Sequence, residues 1–154
     1  MDLSDLIEVS AIMPTLKANS KKQLLQLLAE KAAAVTELPE RVIFDTILQR
    51  ERLGSTGVGN GIAIPHGKLN GVKKIVGVFA RLETPVDFEA LDDQPVDLVF
   101  LLLAPEGAGA DHLKALSRIA RVLRDTETVN KIRGTRDASA IYALLSETAT
   151  PHAA

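Results

Sequence analysis

Three side chains in this sequence are suited to handling an anion: His66, His112 and Arg50. His66 follows an apolar run in GSTGVGNGIAIPHGK, the stretch from Gly54 to Lys68. Imidazole titrates near about 6.5, so near neutral pH one ring nitrogen is a free nucleophile. A histidine beside an apolar strand is ordinarily a structural residue. The glycines on either side of this one, including Gly67, favour a phosphorylatable histidine instead. Ser55, Thr56 and Asn60 interrupt those glycines and are placed either to hydrogen-bond a phosphate or to fix turns.

His112 falls in the expected first turn of a helix, with Leu116, Ile119 and Leu123 following at core spacing. It is either a half-buried helix-start residue or a second imidazole that donates to a phosphoryl oxygen. A helix N-terminus favours negative charge there. Arg50 lies near the end of an expected helix, where a cation complements the helix dipole, and Arg52 could do the same. Its guanidinium also matches phosphate oxygens and sits just before the glycine loop.

Other chemistries fit less well. The glycines at 57, 59 and 61 match neither G-x-x-x-x-G-K-[ST] nor G-x-G-x-x-G, so nucleotide binding is not expected. A zinc site would need a carboxylate such as Asp111 beside His66 and His112, and His152 lies in an expected tail. No metal and no cofactor are expected. The chain lacks cysteine, which removes thiolate sites and thiol nucleophiles.

The elements that must position these residues follow from periodicity. A short edge strand is expected near Val9–Met13. A helix runs to about Val35 behind the capping spacing of Ser20 and Gln23. Pro39 opens a second helix with Val42, Ile43, Ile47 and Leu48 inward, and Gly54 closes it. A short strand, Ile62–Ile64, should stop at Pro65, which has no N–H to donate, so that His66 emerges at its end. Strands are expected at Ile75–Leu82 and Val96–Ala104, with a turn-like Pro85–Asp93 that holds at most a short edge strand at Val86–Phe88. The Val96–Ala104 run is apolar enough to be covered on both faces. Helices are expected at Asp111–Arg124, Glu127–Arg133 and Ala138–Leu145. The implied fold is a three-layer α/β/α sandwich around a mixed, mostly parallel sheet of about five strands. Residues 1–146 form one domain, and 147–154 a flexible tail.

Composition narrows the setting. With 154 residues, 18 basic against 20 acidic side chains and 3% aromatics, neither a nucleic-acid field nor a stacking platform is expected. No apolar run is long enough for a bilayer, and no secretory signal is expected, so the reading is a cytoplasmic protein without membrane insertion.

RERLGSTGVGNGIAIPHGK, followed by DQPVDLVFLLLAPEGAGADHLKALSRIARVL, resembles the enzyme IIA component of the mannitol/fructose class of the bacterial phosphotransferase system. Within that class it is most similar to the stand-alone, nitrogen-related members, over about Leu6 to Leu145. The resemblance implies that His66 is the phosphoryl acceptor (at its tele nitrogen), that His112 is the second active-site histidine, and that Arg50 helps neutralise the phosphoryl group. It implies an HPr-like phosphocarrier as donor, docking on an apolar patch around His66. The loop amides would help offset the phosphoryl charge. It also implies regulated partners in nitrogen, potassium or carbon control, such as potassium-transport or sensor-kinase proteins. A sugar-specific IIA that passes phosphate to a IIB domain is the neighbouring alternative. A non-catalytic binding module and, more remotely, a metal-assisted hydrolase are alternatives of other classes.

Overall fold

The computed structural model describes residues 2–147. Two 3₁₀ turns, Leu3–Asp5 and Val9–Ala11, lead into β1 (Ile12–Leu16). Helices α1 (Lys21–Thr36) and α2 (Glu40–Leu53) follow, then β2 (Gly57–Gly59), β3 (Ile62–Ala63) and β4 (His66–Leu69). The long strands β5 (Val76–Val86) and β6 (Val96–Pro105) precede α3 (Ala110–Arg124), α4 (Thr126–Arg133) and α5 (Ala138–Glu147). Ser20 caps α1 by accepting the Gln23 N–H at 3.1 Å, as its spacing predicts.

β6 is the axis of the sheet, and its residues from Leu98 to Ala104 are fully buried. One edge of β6 pairs antiparallel with β5, and β1 lies parallel outside β5. The other edge is shared by two pieces. β3 pairs parallel with Leu98 and Val99, and β4 with Leu102 through Pro105. α1 and α2 pack on each other, α1 on β5 and α2 on β4. α3, α4 and α5 pack in sequence, α3 also touching β6 and α5 touching β1. The sheet is mixed and lies between helical layers, as expected.

Four local expectations need correction. The first strand starts later, at Ile12, because Val9–Ala11 closes a 3₁₀ turn. β5 continues through Pro85 to Val86 instead of ending at Leu82. Val42 is 47% exposed, while Ile43 and Ile47 carry the buried stripe of α2. Pairing does not end at Pro65: its carbonyl still accepts the Leu102 N–H, and the ladder resumes at His66. The expected tail lies outside the described residues apart from Glu147, which ends α5.

The glycine stretch is also more ordered than a flexible loop. β2 and β3 form an antiparallel hairpin whose connection is Asn60-Gly61. Both residues have positive φ, +57° and +80°, as a primed two-residue turn requires. A Cβ on Gly61 would stand 2.5 Å from Arg133 Nη2 and 2.8 Å from Asp97 Oδ1. That guanidinium cannot easily swing aside, because it holds both Asp97 and the Asn60 carbonyl. Gly61→Ala is therefore expected to destabilise the fold by about 1–2 kcal/mol. Gly107→Ala, with open space around it, should be close to neutral. Urea unfolding of the two variants tests this, and equal midpoints would contradict it.

Candidate functional site

His66 is the first residue of β4 and is held by its own backbone neighbourhood. Its Nδ1 lies 2.8 Å from the Ile64 carbonyl oxygen. A carbonyl only accepts, so Nδ1 carries the proton and Nε2 keeps the lone pair. Arg50, in the last turn of α2, directs its Nε–H toward that Nε2 at 3.4 Å and donates from Nη1 to the Gly54 carbonyl at 3.0 Å. The guanidinium thus both closes the helix end and faces the imidazole. Arg52 points elsewhere, into a cleft with Lys21, Lys22 and Glu89.

His112, near the start of α3, stands with its ring centroid 5.6 Å from that of His66, tilted by 55°. It is more enclosed than the half-buried body its spacing implies, only 7% exposed. Its Nδ1 is buried and has no hydrogen-bond partner. Burial lowers its pKa below the ordinary 6.5, and the neighbouring His66 and Lys68 push the same way. His112 is therefore held in the neutral form.

These groups border an open pocket of about 380 Å³, which Thr46, Gln49, Leu53, Gly67 and Lys68 also line. Gly67 is here for close approach rather than flexibility. A Cβ on it would lie 2.9 Å from Thr46 Cγ2, so glycine lets α2 sit against β4. Sequence reasoning misses Lys68. Positions 66 and 68 share a face of a strand, but that signal disappears if the strand is taken to stop at Pro65. Thr46 and Leu53 follow from helical spacing about Arg50.

The structure gathers His66, His112, Arg50 and Gly67, but not Ser55, Thr56 or Asn60. Ser55 Oγ donates to the Phe88 carbonyl and accepts the Gly57 N–H. Thr56 gives its N–H and hydroxyl to Glu51. The Asn60 N–H goes to Asp92 and its carbonyl to Arg133. These three residues, expected to bind phosphate or to fix turns, build and anchor the hairpin here, and none lines the pocket. The amides of Thr56, Gly57 and Asn60 are already used, so they are not a free anion nest. Asp111 lines a separate cleft with Asp5, Lys73 and Lys74. His152 lies outside the described residues.

The site thus presents a strand-borne histidine whose unprotonated Nε2 faces an arginine beside a second imidazole. Residues 5–148 match the family described as phosphoenolpyruvate-dependent sugar phosphotransferase system, EIIA 2. The chain belongs to that family. A nitrogen regulatory protein of Bradyrhizobium diazoefficiens is 63% identical over 146 residues, covering 95% of both chains. One from Escherichia coli K12 is 42% identical over 149 residues, covering 96% of this chain and 91% of the relative. The crystal structure of nitrogen regulatory protein IIA-Ntr from Neisseria meningitidis superposes with a TM-score of 0.89 at 35% identity, covering 93% of this chain and 98% of that one. This EIIA chain is thus a phosphotransferase-system component, and among the described residues no helix is long and apolar enough to cross a membrane.

The depressed pKa of His112 sets a pH dependence. As pH falls, the unfolded chain protonates this residue before the folded protein does. Stability is therefore fullest above the ordinary imidazole value and declines as pH falls through about 6.5, levelling off below the depressed folded value. His112→Gln should flatten that part of the curve. Urea midpoints of both proteins across this range check the sign, and parallel curves would remove His112 as the cause.

Proposed function

We infer that the protein is a cytoplasmic phosphoryl carrier of a nitrogen-related phosphotransferase system. It accepts a phosphoryl group on His66 from the phosphohistidine of an HPr-like carrier. The observation that carries this reading is the Nδ1–H bond to Ile64, which leaves Nε2 unprotonated and facing Arg50. In the transfer, the donor's N–P bond breaks and its electron pair returns to the donor nitrogen. The Nε2 lone pair forms the new N–P bond. No proton needs to leave His66, since Nδ1 keeps its own throughout. The phosphoryl group arrives already activated on nitrogen, so this reaction calls for positioning and charge stabilisation rather than a new activating step.

Arg50 supplies a fixed cation at the acceptor nitrogen, and Lys68 a second at the pocket rim. His112, with its ring centroid 5.6 Å from that of His66 on the border of the same pocket, stands where a phosphoryl oxygen on His66 would come within reach of its ring. Exposed Leu53 lies in the pocket wall, and Leu113 follows His112 at 67% exposure. Both suit a partner with an apolar docking face. Phosphorylation then replaces a neutral nucleophile with a dianionic phosphoryl group on a ring that keeps its Nδ1 proton, a net change near −1, which can change the partners that bind there. The names of the most similar relatives support a nitrogen-regulatory role, with potassium-transport or sensor-kinase proteins as the class of target.

Intact mass after incubation with phosphoenolpyruvate, the general phosphotransferase enzyme and its carrier tests the relay. Wild type should gain one acid-labile phosphate and His66→Ala none, while Arg50→Leu should slow the gain by roughly 10²-fold. An uncharged wild type beside a charged carrier would refute the relay and leave a binding module. Loss of the label on adding a fructose- or mannitol-type IIB domain would move the assignment to sugar transport.

A further inference from the structure

Glu51 is the only buried carboxylate among the described residues, with its side chain 2% exposed. It lies in the last turn of α2, beside Arg50 in sequence, yet it lines a different cleft from the His66 pocket. Its Oε1 accepts the Thr56 N–H at 3.1 Å and the Lys21 ammonium at 3.1 Å, and its Oε2 accepts the Thr56 hydroxyl. The Lys21 ammonium in turn rests 4.6 Å from the centre of the Phe88 ring. Burying a charge is costly even when it is paired, and apolar packing often stabilises as well. Stability alone is therefore a poor account of an acid in this place. Geometry gives a better one.

The segment from Gly54 to Thr56 carries both arms of the site. The Gly54 carbonyl accepts Arg50 Nη1. The Thr56 carbonyl accepts the Ile64 N–H at 3.0 Å, and the Ile64 carbonyl in turn accepts His66 Nδ1–H. Arg50 and His66 thus take their positions from the two ends of one tripeptide. Glu51 ties that tripeptide to the helix on which Arg50 stands. Gly54 keeps its own N–H on the Glu51 backbone carbonyl at 3.1 Å and Ser55 binds the Phe88 carbonyl, so without the Glu51 carboxylate it is Thr56 that loses its tie to α2.

We propose that Glu51 is a positioning residue for phosphoryl transfer, clamping Thr56 so that Arg50 and the Ile64 carbonyl meet His66 from fixed directions. It touches neither imidazole nor phosphoryl group and acts only through Thr56. The proposal rests on the reading of His66 as the acceptor, and one readout tests it without that reading.

The experiment compares Glu51→Gln, Thr56→Val and Thr56→Ser in the full chain. Ring ¹⁵N NMR of His66 reports the tautomer without any donor, and transfer from phosphorylated carrier gives kcat and KM. Glu51→Gln and Thr56→Val should raise the Nε2–H tautomer and lower kcat roughly tenfold or more, with KM for the carrier unchanged. Thr56→Ser, which keeps the hydroxyl, should match wild type on both. If Glu51→Gln does not fold, Thr56→Val, which keeps its backbone N–H and its shape, decides alone. Folded variants with a wild-type tautomer and kcat, or with only a lower melting temperature, would overturn the proposal. If wild type takes no phosphoryl group, the relay fails, and the tautomer shift still decides whether Glu51 positions His66.

Discussion

The site depends on an interruption in one edge of the sheet. β6 offers that edge to β3 and then to β4, and the two are separated by Ile64 and Pro65. Proline has no N–H, so a regular ladder cannot run through this point. The Pro65 carbonyl still reaches Leu102, which keeps the two pieces aligned on β6. The Ile64 carbonyl turns instead to the imidazole two residues on. That carbonyl lies on the side away from β6, where the Ile64 N–H meets the Thr56 carbonyl, and its bond to Nδ1 fixes the tautomer of His66.

The second constraint is how α2 ends. Its buried stripe of Ile43 and Ile47 faces the core, and Gly67 lets Thr46 pack directly on β4. The last turn then lies beside His66, with Arg50 on one flank and Glu51 on the other. Arg50 satisfies the Gly54 carbonyl while facing Nε2, so one side chain serves both the helix end and the site. The two readings its sequence position allows are therefore compatible: a cation placed to complement the helix end is also placed where the proposed phosphoryl group would sit.

Much of this is legible in the sequence, for identifiable reasons. The central strand and the long helices carry strong apolar periodicity, and their limits fall within a residue or two of expectation. His66, His112 and Arg50 stand at element ends, where punctuation by proline, glycine and capping marks position. The glycine stretch is less legible. Asn60-Gly61 is a strong hairpin signal, but a segment so rich in glycine invites a reading as loop freedom. Ser55, Thr56 and Asn60 then look like anion ligands, whereas the folded chain uses them on Phe88, Glu51, Asp92 and Arg133. Such partners are distant in sequence or on another element, and no local pattern announces them. Lys68 is hidden for the opposite reason, a local rule about proline applied too strictly.

The electrostatics of the site are consistent with the proposed role. The chain as a whole carries a formal charge of −2, yet the pocket gathers Arg50, Lys68 and two histidines, with no carboxylate among the described residues that line it. Repulsion among these groups is limited because His112 is kept neutral by burial. A phosphoryl dianion on His66 would reverse that balance, favouring the protonated imidazolium of His112 and strengthening its hydrogen bond. Under the proposed phosphorylation, the energy that keeps His112 uncharged would become a response to it, and the charge of a pocket rimmed by exposed Leu53 would change with it.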